Sequence, residues 1–276
     1  MRPSVSAGRT SFDAYSLRES VLGRGAAFLS PLNGVQRSFG YARPRMSSIP
    51  EFLVWYLVFV FSTTCHEAAH ALAAMKGGDN TAYSMGQVTL DPIPHIKREP
   101  FGMVIMPILS FQMGMMVGWA STPYDPAWGS RYPRRWALMS FAGPLTNFSL
   151  AGLALIALRS LDAAGILHLS GQHGTSVGLV QLPVGHEFSS PLGALALALT
   201  ALLKLNVLLG VYNLIPVPPL DGAAVVQGFA PPGVQSFYER IRQSPVAQIA
   251  GLLGAWWVFP IVFVPVWRVV RALLYS

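Results

Sequence analysis

His66, Glu67 and His70 fall within FVFSTTCHEAAHALAAMKGG, residues 59–78, a stretch that otherwise reads as lipid-soluble. On a helix, positions i and i+4 share a face, so the two imidazoles project side by side, close enough to share one ion. Glu67 projects beside the pair, where its carboxylate can take a proton from a water. Two nitrogen ligands and a neighbouring base in H-E-x-x-H spacing make a hydrolytic zinc motif. Ionisable groups inside a spanning segment are costly and by default mark function, so simple helix packing is a poor account of all three.

Two histidines do not complete a catalytic zinc site, which usually has three protein ligands and an open position. Among the acids in or beside the later apolar windows, Asp221 stands out in NLIPVPPLDGAA. Pro216, Pro218 and Pro219 break the helix there. Unwound backbone at membrane depth is tolerated only where protein buries it or where it lines a watery cavity. Gly222 then lets the chain approach closely. Without Asp221 the prolines would read as a plain exit turn.

The elements that must carry these groups follow from composition. Of 276 residues, 52% are apolar and only 11% charged, against about a quarter charged in soluble domains. Five windows, 49–75, 101–120, 135–158, 191–215 and 246–270, approach or exceed the roughly 20 residues needed to cross hydrocarbon. The expected fold is therefore an all-α polytopic membrane protein of about five hydrophobic segments, one of them broken or re-entrant, with a short membrane-associated β element. Residues 1–48 differ in kind: seven arginines face only Asp13 and Glu19, and no apolar run resembles a signal sequence. They read as a disordered, mis-called or cleaved N-terminal extension, with Met46 a candidate start, ahead of a membrane domain over 49–276 whose core is 49–225. The single Cys65 excludes an internal disulfide and a cysteine-based zinc site.

HEAAH, AGPLTN (142–147) and NLIPVPPLDG (213–222), in that order, resemble the site-2 protease family of intramembrane zinc metalloproteases, in its compact bacterial branch without a PDZ domain. The likeness runs from about residue 49 to about 225. It implies that His66, His70 and Asp221 bind one Zn²⁺ and that Glu67 is the general base. It also implies that Asn147 and Asn213 lie near the site and help hold substrate backbone or the developing oxyanion. The family offers a membrane-embedded β-strand that clamps unfolded substrate, for which GWASTPY (118–124) and GQVTLDPIP (86–94) are the candidates. An added substrate strand would satisfy that edge within the membrane.

For the motifs to meet at one ion, the first and fourth windows must run one way and the third must run back, with the metal displaced toward one face. Residues 76–134 must then leave and return on that face. A single crossing by 101–120 is incompatible with this, and Gly102, Pro107, Gly114 and Gly118 suit a broken path. The metal-proximal loops carry Lys76, Lys97, Arg98, Arg131, Arg134, Arg135, Arg240 and Arg242, and the other face Arg159, Arg268 and Arg271. The positive-inside rule makes the metal-proximal face cytoplasmic, in a bacterial inner membrane. Lys204, midway through the fourth window, faces a watery path toward the site or snorkels to a carbonyl. His95 reads as a polar group at a substrate entrance or as a surface residue. His168, His173 and His186 lie in the far loop and take no role.

The reaction these readings imply is hydrolysis of peptide bonds in or near transmembrane segments of other proteins. One alternative keeps the fold as a catalytically silent binder of transmembrane helices; intact ligands and base argue against it. Another is a metal transporter, but its sites would be spread across the membrane, whereas these ligands converge at one depth. Nothing favours nucleic acid as a partner, because the net charge of +7 comes from loop and N-terminal arginines.

Overall fold

The computed structural model describes residues 49–112, 116–169, 179–181 and 190–276. The N-terminal extension and His173 and His186 lie outside the described residues. Among the described residues, four helices are long and apolar enough to cross a membrane: α1 (Ile49–Gly77), α6 (Pro133–Ala163), α7 (Pro191–Asn213) and α10 (Pro245–Tyr275). Proline at the first turn of α6, α7 and α10 suits an N-terminus. Ser190 and Ser244 cap α7 and α10 by accepting from Gly193 N and Ala247 N.

These helices alternate in direction. Large apolar side chains such as Leu53, Leu57 and Phe61 on α1 and Ile261 and Val269 on α10 stay exposed, as lipid-facing positions require. Inward, Leu158, Val207, Phe259, Phe263 and Trp267 form a core shared by α6, α7 and α10. Trp55 and Phe59 of α1 pack with Leu197, Ala201 and Leu205 of α7.

Between α1 and α6 the chain makes short elements: α2 (Thr81–Ser84), α3 (Pro92–Arg98), a π-helical turn (Phe101–Ile105) continuing into α4 (Met106–Gln112), and α5 (Pro126–Arg131). The second apolar window, 101–120, forms no spanning helix. It enters through the π turn and α4, reaches Phe52 at the start of α1 through a Phe52–Phe111 ring contact, and is followed by an arm that is neither helix nor strand over 116–125. Trp119 N donates to Gly102 O, and Val117 N donates to Ser110 Oγ, tying the two arms together. A Cβ at Gly102 would strike the Trp119 backbone, and one at Gly118 would strike the Gly102 carbonyl, so the arms cross where neither residue has a side chain.

The expected β element is placed differently. GQVTLDPIP is not a strand, because Asp91 caps α3 by accepting from Ile93 N, with Pro92 at its first position. GWASTPY is neither helix nor strand and has no ladder partner among the described residues. The small antiparallel ladder instead pairs β1 (His168–Leu169) with β2 (Val180–Gln181), at the other end of α6.

Asp79, just past α1, organises the connection. Its carboxylate accepts from Thr81 N, Thr81 Oγ1 and Asp125 N. Burial alone would raise its pKa, but these donors outweigh it and hold the group below the usual carboxylate value. A depressed carboxylate pKa contributes stability above the unfolded-state value and loses it as pH falls through the folded value. Asp79→Ala should therefore lower stability by about 1–3 kcal/mol at neutral pH. The gap from the unmodified protein should close as pH drops below about 4, read by thermal unfolding in detergent across pH.

Candidate metal centre

The structure brings His66 and His70 of α1 to Asp221, the first residue of α8 (Asp221–Phe229). His66 Nε2 lies 2.9 Å from His70 Nε2, and Asp221 Oδ2 lies 3.2 Å from the first and 3.4 Å from the second. Both histidines are buried. The α7 helix ends at Asn213, and the proline-rich turn after it delivers Asp221 to the imidazoles. Gly222 packs on the Leu214 carbonyl at a distance that no Cβ allows.

The remaining ring nitrogens are fixed from behind. His66 Nδ1 donates to Asn147 Oδ1 at 2.6 Å, and His70 Nδ1 donates to the Met139 carbonyl at 2.7 Å. Asn147 Nδ2 donates to Asn206 Oδ1, which orients the amide so that its oxygen faces His66. Asn206 Nδ2 donates to Ser62 Oγ and to the Leu202 carbonyl. With both Nδ1 atoms donating, each Nε2 presents a lone pair to the same point, an arrangement that a shared cation relieves. Tetrahedral zinc with bonds of about 2.0–2.1 Å sets its donors roughly 3.3 Å apart, close to the observed triangle. Two imidazole nitrogens and one carboxylate oxygen are also a donor set of catalytic zinc.

Glu67 is buried beside the cluster, and Thr122 Oγ1 lies 2.7 Å from its Oε2. Thr122 belongs to the 116–125 arm, which is itself clasped: Arg98 Nε donates to the Ser121 carbonyl, and Ser121 Oγ donates to Glu99. Pro144 lacks an N–H, so the helical acceptor at Ser140, which lines the site, loses its usual donor. Gly143 faces both metal-side nitrogens, leaving no room for a methyl group.

The cluster opens into a cavity of about 740 Å³ walled by the 116–125 arm, α7 and α10. Asn213 and Lys204 line it; Asn147 does not, since both of its polar groups are engaged inside the protein. Asn213 therefore stands at the cavity wall, and Asn147 stands behind His66, where it can orient the ring. At the rim Arg242, from α9 (Pro232–Gln243), lies 4.4 Å over the Trp136 ring and donates to Gln227. His95 is buried rather than at the surface, and its Nε2 contacts the Thr89 carbonyl away from the cavity.

A spanning all-helical frame with a buried His–His–carboxylate cluster beside an acid defines a membrane metallohydrolase. The sequence model of peptidase family M50 matches residues 54–254, and the chain belongs to this family, the site-2 protease family of intramembrane zinc metalloproteases. It is 33% identical over 190 residues to the candidate zinc metalloprotease YwhC of Bacillus subtilis (strain 168), covering 68% of this chain and 74% of that protein. It is 28% identical over 210 residues to the candidate zinc metalloprotease Rip2 of Mycobacterium tuberculosis (strain H37Rv), covering 74% of this chain and 70% of that protein. No solved structure matches it significantly. The chain is thus an integral membrane zinc metalloprotease.

Proposed function

We propose that this protease cuts peptide bonds within or beside the transmembrane segments of other membrane proteins, with His66, His70 and Asp221 as its zinc ligands and Glu67 as its general base. The observation that carries this reading is the convergence of three ligand atoms, from two separate parts of the chain, beside a carboxylate held by Thr122 in a cavity walled by helices long and apolar enough to span. Zinc, when bound, polarises the scissile carbonyl and acidifies water beside it. Glu67 takes the proton of the attacking water and returns it to the leaving amine. Thr122 holds Oε2, leaving Oε1 for that transfer. Asn213 contacts the substrate backbone from the cavity wall, and Asn147 with Asn206 keeps His66 aimed.

A transmembrane substrate is helical, so its amide must unwind before it can enter. Thr122 and the residues before it, Val117 to Ser121, line the cavity, where their backbone can pair with such a segment. The eight basic residues flanking the metal-proximal helix ends, against three at the opposite ends, support a cytoplasmic orientation of that face. The sources of the relatives support a bacterial plasma membrane.

The deciding comparison sets fusions carrying single transmembrane segments against an unfolded soluble polypeptide, with cut positions mapped by mass spectrometry. Cuts inside or adjoining the apolar segment are expected. Cleavage of the soluble chain alone would remove the transmembrane substrate from the account.

Asn147→Leu should weaken zinc binding 10–100-fold, the usual effect of losing the partner behind a ligating histidine. Competition with a chelator of known affinity measures it; unchanged affinity would deny Asn147 its orienting role.

A further inference from the structure

Arg242, in the last turn of α9, lines the cavity that holds His66, Glu67, His70 and Asp221. Two contacts fix its guanidinium. The group lies 4.4 Å over the Trp136 ring, and Nη2 donates to Gln227 Oε1 at 2.7 Å. A guanidinium carries five N–H donors, so these contacts leave most of them unspent. Nε is buried and has no hydrogen-bond partner among the described residues. The one carboxylate recorded near it, Glu239 Oε2, stands 4.0 Å away, beyond hydrogen-bond reach, while Glu239 Oε1 accepts from Gln243. A planar cation held on an aromatic ring, with donors to spare along its edge, matches a carboxylate, which takes two parallel bonds from such an edge.

The position of Arg242 relative to the metal centre follows from α6. Trp136, Ser140 and Gly143 fall at i, i+4 and i+7, on one face of that helix. Gly143 faces both metal-side nitrogens, and Trp136, two turns nearer the start of α6, carries the guanidinium. Two turns span about 10 Å. An extended chain covers that distance in about three residues at ~3.3 Å each. Tyr124, Met139 and Ala224 pack with Trp136 there and line the same cavity. Apart from Glu67, Asp221 and Lys204, whose place on α7 is nine residues before its end, Arg242 is the only acid, lysine or arginine lining this cavity among the described residues.

We infer that Arg242 forms a specificity subsite for a side-chain carboxylate of the substrate, an aspartate or glutamate about three residues from the scissile bond on the side toward the start of α6. The inference rests on the protease reading above and adds a sequence preference to it. An acid seated there supplies the acceptor that the buried Nε lacks. A leucine leaves the donors unmatched, and a lysine meets a like charge. In the orientation proposed above, this side is cytoplasmic, where the flanks of most membrane spans carry Lys and Arg. Arg242 would therefore turn away ordinary spans while admitting those with an acidic flank.

The test is a position scan. One transmembrane fusion carries Asp, Asn, Leu or Lys at each of the second to fifth positions on the near side of its mapped cut. Initial cleavage rates and zinc content are compared for the unmodified protein, Arg242→Gln, Arg242→Glu and Arg242→Lys. In the unmodified protein, Asp should be cut about tenfold faster than Leu at one position near the third, the size of one hydrogen bond to a charged group, with Lys slowest. Arg242→Gln should flatten this order, and Arg242→Glu should turn it toward Lys. Arg242→Lys keeps the charge but not the planar edge, so Asp should still lead by a smaller ratio. An unmodified protein indifferent to residue type throughout the scan would overturn the subsite, whether or not the variants fold. So would an Arg242→Gln protein that cuts more slowly but keeps the order, or an undiminished Asp-to-Leu ratio in Arg242→Lys. Failure of the underlying protease reading has a different signature, namely absent zinc in the unmodified protein or cleavage that persists in Glu67→Gln.

Discussion

Replacing Glu67 by glutamine should abolish measurable cleavage while leaving about one zinc per chain. General acid–base catalysis contributes ~10²–10⁴-fold to rate, and a carboxamide can neither accept the water's proton nor return it. The change is otherwise small. Glutamine keeps the side-chain length, and its oxygen can still accept from Thr122, which lies 2.7 Å from the carboxylate oxygen. None of the three converging ligand atoms belongs to Glu67, so metal content should not move. Zinc by elemental analysis and cleavage of a transmembrane fusion together read the outcome. Cutting that survives at more than a few per cent would take the base role away from Glu67. Zinc loss alongside inactivity would assign it a structural part in the cluster instead.

Gly143→Ala should have an equally large effect by the opposite route, losing both zinc and activity in a protein that stays folded. In mid-helix, glycine to alanine ordinarily stabilises by up to about 1 kcal/mol. Here the added methyl would overlap the Nε2 atoms of both His66 and His70. Gly143 is held in place by the rest of α6, which packs against α1 and α7 over most of its length, so the imidazoles must turn away. They would then leave Asn147 and the Met139 carbonyl, their partners at Nδ1. Zinc occupancy below about a tenth of normal is expected on the strength of that lost support, with thermal unfolding in detergent no lower than for the unmodified protein. Full occupancy would show that the cluster tolerates the methyl group and that close α1–α6 approach is not required.

Sequence alone carried the chemistry further than the path of the chain. His66, Glu67 and His70 are bound by a helical spacing, and Asp221 is flagged by prolines that cannot continue α7, so local rules reach each of them. Asn206 had no such flag. It is one asparagine in an apolar run, and it matters only because folding sets it against Asn147, 59 residues away, and Ser62, 144 residues away. Thr122 is equally silent in sequence, since its bond to Glu67 spans 55 residues. The re-entrant course of residues 101–125 was legible in part through Gly102 and Gly118, which turn out to mark the crossing of the two arms. The reading of 86–94 as a strand failed against a signal that was present: Asp91 followed by Pro92 is a helix cap and first-turn pair, repeated at Asp125–Pro126, where Asp125 accepts from Ala127 N. His95 misled for a related reason, because α3 turns it inward.

The offset of the metal cluster from the bilayer centre bears on what becomes of the products. His70 lies seven residues, about 10 Å, from the near end of α1, whereas a hydrocarbon core is about 30 Å thick. A transmembrane chain severed at that depth would be divided unequally. The near-side piece would keep at most some three extended residues of apolar sequence, too few to hold a polypeptide in lipid. The far-side piece would retain at least about two thirds of the span and stay embedded. Diffusion of the short-anchored fragment into water would separate the new termini at once, making the cut irreversible in practice and the release directional, without any step devoted to ejecting product.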